Sequence, residues 1–234
     1  NWEEVKSKVN DKTKMIIINT PHNPSGTVLN ENDLKQLEQL VKGKNIIVVS
    51  DEVYEHMAFD NQPHQSVARY STLRSQSIIV SSFGKTVHTT GWKIGYVAAP
   101  AELMSEFRKV HQFLVFAVNH PFQLALADYL GDKNTYLELK NFYQTKRDFF
   151  RGLIKNSRFT IEDCTGTYFQ LLGYKKITEE KDTDFAIRLT KENKLASVPL
   201  SVFYSKPTDN NLLRFCFAKK EETLEKAAEI INKI

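Results

Sequence analysis

Lys85 is the residue with the clearest chemical potential in this chain. It stands in a short polar loop, Ser81-Ser82-Phe83-Gly84-Lys85-Thr86, directly after the apolar run Ile78-Ile79-Val80. A second cation, Lys93, follows beside the pair Gly91-Trp92. Most lysines are solvated surface charges, but one held at the end of a buried strand can be deprotonated by its surroundings. A neutral amine then forms a Schiff base with a carbonyl. The most economical chemistry is an aldehyde cofactor bound through Lys85.

Other reactive residue types fall at comparable places. Asn23-Pro24-Ser25-Gly26 follows the apolar run Met15 to Asn19, and Asp51-Glu52-Val53-Tyr54 follows Ile46 to Val49. Lys93 precedes Ile94 to Ala98. Ligands of open α/β sheets bind beyond the carboxyl ends of the strands, so these distant residues are expected to converge on one crevice. Each cluster alone has an ordinary reading: Asn23-Pro24 as a common turn pair, Asp51 and Tyr54 as strand-end residues, Arg214 as a snorkelling strand cation. Gly84-Lys85-Thr86 is not the end of a nucleotide-binding loop, because position 79 is Ile79 where that loop needs glycine. His22, His88 and His120 are too scattered for a metal site. Neighbouring strand residues face opposite ways, so Glu52 reads as structural beside Asp51.

The elements that must position these residues alternate along the first half. Met15 to Asn19, Ile46 to Val49 and Ile78 to Val80 read as buried strands. Between the first two, Asn30 caps a helix whose apolar face is Leu34, Leu37, Leu40 and Val41, and Gly43 ends it. Continuous apolar runs separated by helices predict a mainly parallel sheet covered on both faces. Ile94 to Ala98 comes too soon after the third strand for a crossover helix, so it is expected to be antiparallel. From Ala101 the chain reads as helix along Leu103, Phe107, Val110, His111 and Leu114. Further helices are expected at 121–130 and 134–156. Short strands at 167–172, 196–199 and 212–217 surround a helix at 182–192, and a last helix covers 221–234. The chain itself opens in what reads as the middle of a helix.

Bulk properties exclude several classes. The 234 residues carry a net charge of +4 with interleaved signs, 41% hydrophobic and 26% charged residues, as in an ordinary globular protein. No basic stripe with interleaved aromatics points to nucleic acid, and the best apolar run, 113–118, is too short to cross a membrane. Cys164 and Cys216, the two cysteines, read as reduced core residues of a cytoplasmic protein.

Taken together, Asn23-Pro24-x-Gly26, Asp51-x-x-Tyr54, Ser82-x-x-Lys85, Lys93 and Arg214 resemble the motif set of the fold-type I pyridoxal-phosphate enzymes, the class I/II aminotransferases. The segment from Lys85 through Gly91-Trp92-Lys93-Ile94-Gly95 is most similar to the kynurenine, glutamine and methionine aminotransferase branch. The resemblance implies an α/β fold: a mainly parallel large domain, here 1–130 and incomplete on its N-terminal side, plus a small α+β domain, 131–234. The boundary is expected within 101–156. It implies transamination of an amino acid with a 2-oxo acid on pyridoxal 5'-phosphate, held by Lys85 as a Schiff base, and a homodimer. Asp51 would pair with the pyridine nitrogen. Asn23 and Tyr54 would bond the phenolic oxygen, Ser82 and Lys93 the phosphate, and Arg214, with Asn23, the substrate. Phe169 lies near the substrate in this family, although core packing is its expected role here. Methionine, glutamine and kynurenine are the candidate substrates. The same start permits β-elimination from cysteine conjugates. The family also has upstream segments supplying a glycine turn, a stacking ring and a cross-dimer tyrosine. These 234 residues alone are therefore expected to bind the cofactor weakly, or to be a catalytically silent fragment.

Overall fold

In the computed structural model, which describes residues 1–206 and 208–234, the β-branched runs of the first half form strands and the amphipathic stretches form helices. Asn1 caps helix α1 (Trp2–Lys8), its side chain accepting from the Glu3 and Glu4 amides. Strand β1 (Met15–Asn19) leads to α2 (Glu31–Val41), where Asn30 and Asp33 make a reciprocal capping box. Then come β2 (Ile47–Asp51), the short α3 (Ser71–Ser75), β3 (Ser77–Ser82), the one-turn α4 (Phe83–Thr86) and β4 (Gly95–Ala98). Helices α5 (Ala101–Leu114), α6 (His120–Tyr129) and α7 (Asn134–Leu137) follow.

The sheet order is β1-β2-β3-β4, with β1, β2 and β3 parallel and β4 antiparallel to β3. The link from β3 to β4 holds only α4 and a 3-10 turn, Thr90–Trp92, so the chain returns beside β3 and does not cross the sheet. Leu34, Leu37 and Val41 of α2 are fully buried with Ile46, Val48, Val67 and Leu73. Each such side chain contributes about 1.5–3 kcal/mol of burial. Ile16 and Ile18 pack on this cluster, while Ile17 is 70% exposed, so the expectation of two covered faces fails at β1. Helix α5 also departs from expectation: none of its residues is buried, and Phe113 is 84% exposed.

These elements make the first of two compact units, comprising residues 1–21, 28–56 and 62–139. The second comprises 22–27, 57–61 and 140–234. It contains α8 (Leu139–Ile154, from its second residue on), β5 (Thr160–Ile161), β6 (Phe169–Gly173), α9 (Asp182–Asn193), β7 (Val198–Pro199), β8 (Leu212–Cys216) and α10 (Glu221–Ile231). Its sheet runs β5-β6-β8-β7, antiparallel throughout. The expected helix at 134–156 is split into α7 and α8. The expected strand at 167 begins two residues later, because Thr167 has the left-handed φ of 67°.

The two short inserts join the second unit through backbone bonds. The Gly26 carbonyl accepts from the Thr165 and Gly166 amides at 2.9 and 2.8 Å, and the Met57 carbonyl accepts from the Thr167 amide at 3.0 Å. Gly26 has φ +73°, and a Cβ there would stand 3.0 Å from the Cys164 Sγ, so glycine is required twice over. Cys164 is buried and free, its thiol pushed up to about 11 by burial. Cys216 is also free but only partly buried, not the core residue expected. Among the described residues, no helix is long and apolar enough to cross a membrane, and no group of three or more His, Cys, Asp or Glu could hold a metal ion.

Candidate active site

Parallel pairing places the carboxyl ends of β1, β2 and β3 along one sheet edge. Asn19 pairs with Asp51, and Asp51 with Val80, two residues before Ser82. Antiparallel β4 starts at that same edge, where Gly95 pairs with Ser82 and Lys93 lies two residues earlier. The first unit thereby gathers Asp51, Ser82, Lys85 and Lys93, with Tyr54 in the turn after β2.

Backbone and buried side chains fix the Asp51 to Glu55 segment. The Asp51 carbonyl accepts from Asn19 Nδ2 and from the Thr20 amide, both at 3.0 Å, and its Oδ1 accepts from the Val53 amide at 3.1 Å. Glu52 is 1% exposed. Its Oε1 accepts from Ser50 Oγ at 2.9 Å and the Val67 amide at 3.1 Å, and Oε2 meets His64 Nε2 at 2.8 Å. That is the structural role expected of it. Tyr54 is 3% exposed. Glu55 was not foreseen as part of this region. Its Oε1 accepts from Ser81 Oγ at 2.9 Å and the Tyr96 hydroxyl at 2.5 Å, tying the turn to β3 and β4. Burial and the adjacent Glu55 carboxylate push the Tyr96 phenol up. No spacing rule links residues 55 and 96.

Lys85 does not lie in an extended loop but on α4. Ser82 caps that turn, its Oγ accepting from the Gly84 amide at 3.2 Å. A hydroxyl that accepts in this way still keeps its own proton to donate elsewhere. At Gly95 a Cβ would stand 2.4 Å from the Ser81 carbonyl oxygen, so only glycine lets β4 approach β3 here. Lys93 has φ 57° and His88 φ 59°, left-handed conformations uncommon for such residues. Strained non-glycine backbone of this kind gathers at ligand-binding sites. Burial pulls the His88 imidazole down.

Asn23 and Arg214 belong to the second unit. On β8, Leu213 and Phe215 are buried, and alternation turns Arg214 to the opposite face. Arg214 Nη1 donates to Asn23 Oδ1 at 2.5 Å. The guanidinium carbon lies 4.0 Å from the Phe169 ring centroid and 5.4 Å from that of Phe203, both within cation–π reach. Phe169, expected to be core, is 9% exposed and also touches this cation. Phe203 carried no signal in the sequence. His22 beside Asn23 bonds Ser25 Oγ through Nδ1 at 2.7 Å, and burial pulls its imidazole down.

The family profile described as Aminotransferase class I and II matches residues 1–231. A methionine aminotransferase of Escherichia coli is 47% identical over 235 residues, a match covering all of this chain and 61% of the relative. A kynurenine–oxoglutarate transaminase of Dictyostelium discoideum is 33% identical over 258 residues, covering 100% of this chain and 59% of that protein. Among solved structures, an Escherichia coli protein whose crystal structure and reactivity identified a methionine aminotransferase function matches with a TM-score of 0.97 at 47% identity. That match covers 100% of this chain and 62% of the other. The chain thus spans about three-fifths of the length of these relatives.

Proposed function

Because the chain belongs to the class I and II aminotransferases, we propose that it acts in pyridoxal 5'-phosphate-dependent transfer of an amino group between an amino acid and a 2-oxo acid. The observation that carries the reading is the placement of Lys85 one turn beyond β3, at the sheet edge that also holds Asp51. The donor set there suits the cofactor: an amine, a carboxylate, a phenol, a hydroxyl and a second ammonium. When bound, pyridoxal 5'-phosphate supplies an aldehyde for the substrate nitrogen and a cationic ring that draws electrons from the substrate α-carbon.

The chain's own residues divide the work. Lys85 Nζ would hold the cofactor through its aldehyde. The freed Nζ would serve as the general base that takes the α-carbon proton and the general acid that returns it. The Asp51 carboxylate would keep the ring nitrogen protonated. Tyr54 would donate to the phenolic oxygen from its hydroxyl, and Asn23 would have Nδ2 left to donate, because its Oδ1 accepts from Arg214. Ser82 Oγ would donate its remaining proton to the phosphate, and Lys93 would add a point charge there. Arg214 grips the substrate carboxylate with a planar fork that lysine lacks.

Methionine is the proposed amino donor, supported by the 47% identity to the Escherichia coli enzyme. A homodimer is part of the same proposal, on family resemblance, and light scattering of the full-length protein tests it. Borohydride reduction followed by peptide mapping tests the site. The expected pyridoxyl group is on Lys85, and an adduct at any other lysine overturns the assignment. Product analysis with methionine should yield the matching 2-oxo acid, whereas pyruvate, ammonia and a thiol from a cysteine conjugate would mark β-elimination.

A further inference from the structure

Phe203 reaches Arg214 from a turn with little regular structure of its own, the 3-10 segment Ser201–Phe203 after β7. One buried carboxylate anchors that turn. Asp182 is 1% exposed. Its Oδ2 accepts from the Ser201 amide at 2.7 Å, and its Oδ1 accepts from Ser201 Oγ at 2.7 Å. Both oxygens of the carboxylate are thus spent on one residue. Asp182 is the first residue of α9, where the helix dipole favours a negative charge. Its own amide donates to Asp209 Oδ2 at 2.8 Å, three residues before β8 begins. Burying a carboxylate costs free energy unless hydrogen bonds offset it. Here the bonds offset that cost and also fix the turn two residues from the ring that faces the guanidinium.

We propose that Asp182 is a positioning residue for carboxylate recognition: by clamping Ser201 it holds Phe203 against Arg214, and so fixes the plane in which the guanidinium fork meets a substrate carboxylate. The proposal rests on the reading of Arg214 as the carboxylate-binding residue. A ring near the guanidinium restricts its rotation and keeps water from one side of it. The Asn23 bond then sets the remaining orientation. Asp182 never touches the substrate in this arrangement and acts through Ser201 and Phe203.

The test is the affinity of the cofactor-loaded full-length protein for 4-(methylsulfanyl)butanoate, an unreactive carboxylate with methionine's skeleton. Affinity is measured by calorimetry beside the thermal midpoint. Phe203→Leu, which keeps bulk but loses the ring, is expected to weaken the probe about tenfold, while Phe203→Tyr stays within about twofold. Ser201→Ala and Asp182→Asn are expected to weaken it about three- to tenfold, and Ser201→Thr to restore it, because the hydroxyl donor returns. A lowered thermal midpoint with unchanged probe affinity in Ser201→Ala and Phe203→Leu overturns the proposal. If Asp182→Asn does not fold, those two variants decide, since Phe203 is 46% exposed and lies outside the buried core. Arg214→Gln separates the two levels. Unchanged probe binding in that variant sinks the carboxylate reading itself. Weakened binding there, with Ser201→Ala and Phe203→Leu unaffected, sinks only the positioning role.

Discussion

At the sheet edge of the first unit, reactive side chains are placed mainly by backbone: strand register sets Asp51, a capped turn sets Lys85, and a glycine approach sets the start of β4. In the second unit, Arg214 is placed mainly by other side chains, with Asn23 on its Nη1 and two phenyl rings within cation–π reach of its guanidinium carbon. The difference has a consequence for substitution. Backbone placement gives all-or-none effects, because register and sterics either hold or fail. Side-chain placement gives graded effects, because each contact contributes a modest share and can be partly replaced.

The largest expected effect is at Lys85, where the chemistry has no understudy. Lys85→Ala in the full-length protein should lower turnover at least about a thousandfold, the range for losing a general acid–base group. Lys85→Arg should fare no better, since guanidinium keeps its proton. Steady-state rates with methionine and a 2-oxo acid check this, and a loss of less than about tenfold would contradict the assignment. Arg214→Lys comes next. It keeps charge but loses the fork, so KM for the amino acid should rise about ten- to a hundredfold while kcat changes less. An all-or-none loss there would remove the contrast between the two units.

Gly95→Ala sharpens the same contrast from the other side. Its Cβ would overlap the Ser81 carbonyl at 2.4 Å, and backbone cannot yield as a flexible side chain does. A cost of about 1–3 kcal/mol in denaturant unfolding is expected, with weaker cofactor binding because Ser82 is the next residue. Wild-type stability and cofactor affinity in this variant would show that the edge is not set by backbone approach.

These contrasts also mark what could be read from the sequence. Strand ends and their polar followers were legible, since β-branched runs punctuated by Asn23-Pro24, Asp51 and Ser82 are local signals. The antiparallel turn of β4 was legible from the length of one connection. Glu55, Tyr96, Asp182, Ser201 and Phe203 were not, because their contacts join residues far apart in the chain and follow no period. The same holds for inserts 22–27 and 57–61, which group with the second unit through backbone bonds near Gly26 and Met57. Exposure of Ile17 and Phe113 was hidden for a related reason: an apolar run announces burial without naming what covers it.

The smallest expected effect concerns how the second unit keeps its insert, and it adds a pH signature to the comparison. Arg147 on α8 is nearly buried and forks onto Asp60, Nη1 to Oδ2 at 2.6 Å and Nη2 to Oδ1 at 2.7 Å. The hydrogen bonds from Arg147 hold the Asp60 carboxyl below its usual range. A carboxylate lowered by folding stabilises above its unfolded value, near about pH 3.9, and that contribution is lost as pH falls through the lower folded value. Asp60 is 44% exposed, so solvent screening limits the contribution to about 1 kcal/mol. Asp60→Asn should therefore lie below wild type in thermal midpoint at pH 7. The gap should begin to close below about pH 4, where the unfolded carboxyl takes up its proton, and close fully once the pH falls through the lower folded value. Cofactor titration of the first unit's edge should stay unchanged in this variant. A gap that persists undiminished at pH 3, or a change in cofactor affinity, would mean that the pair does something other than fasten the insert to its own unit.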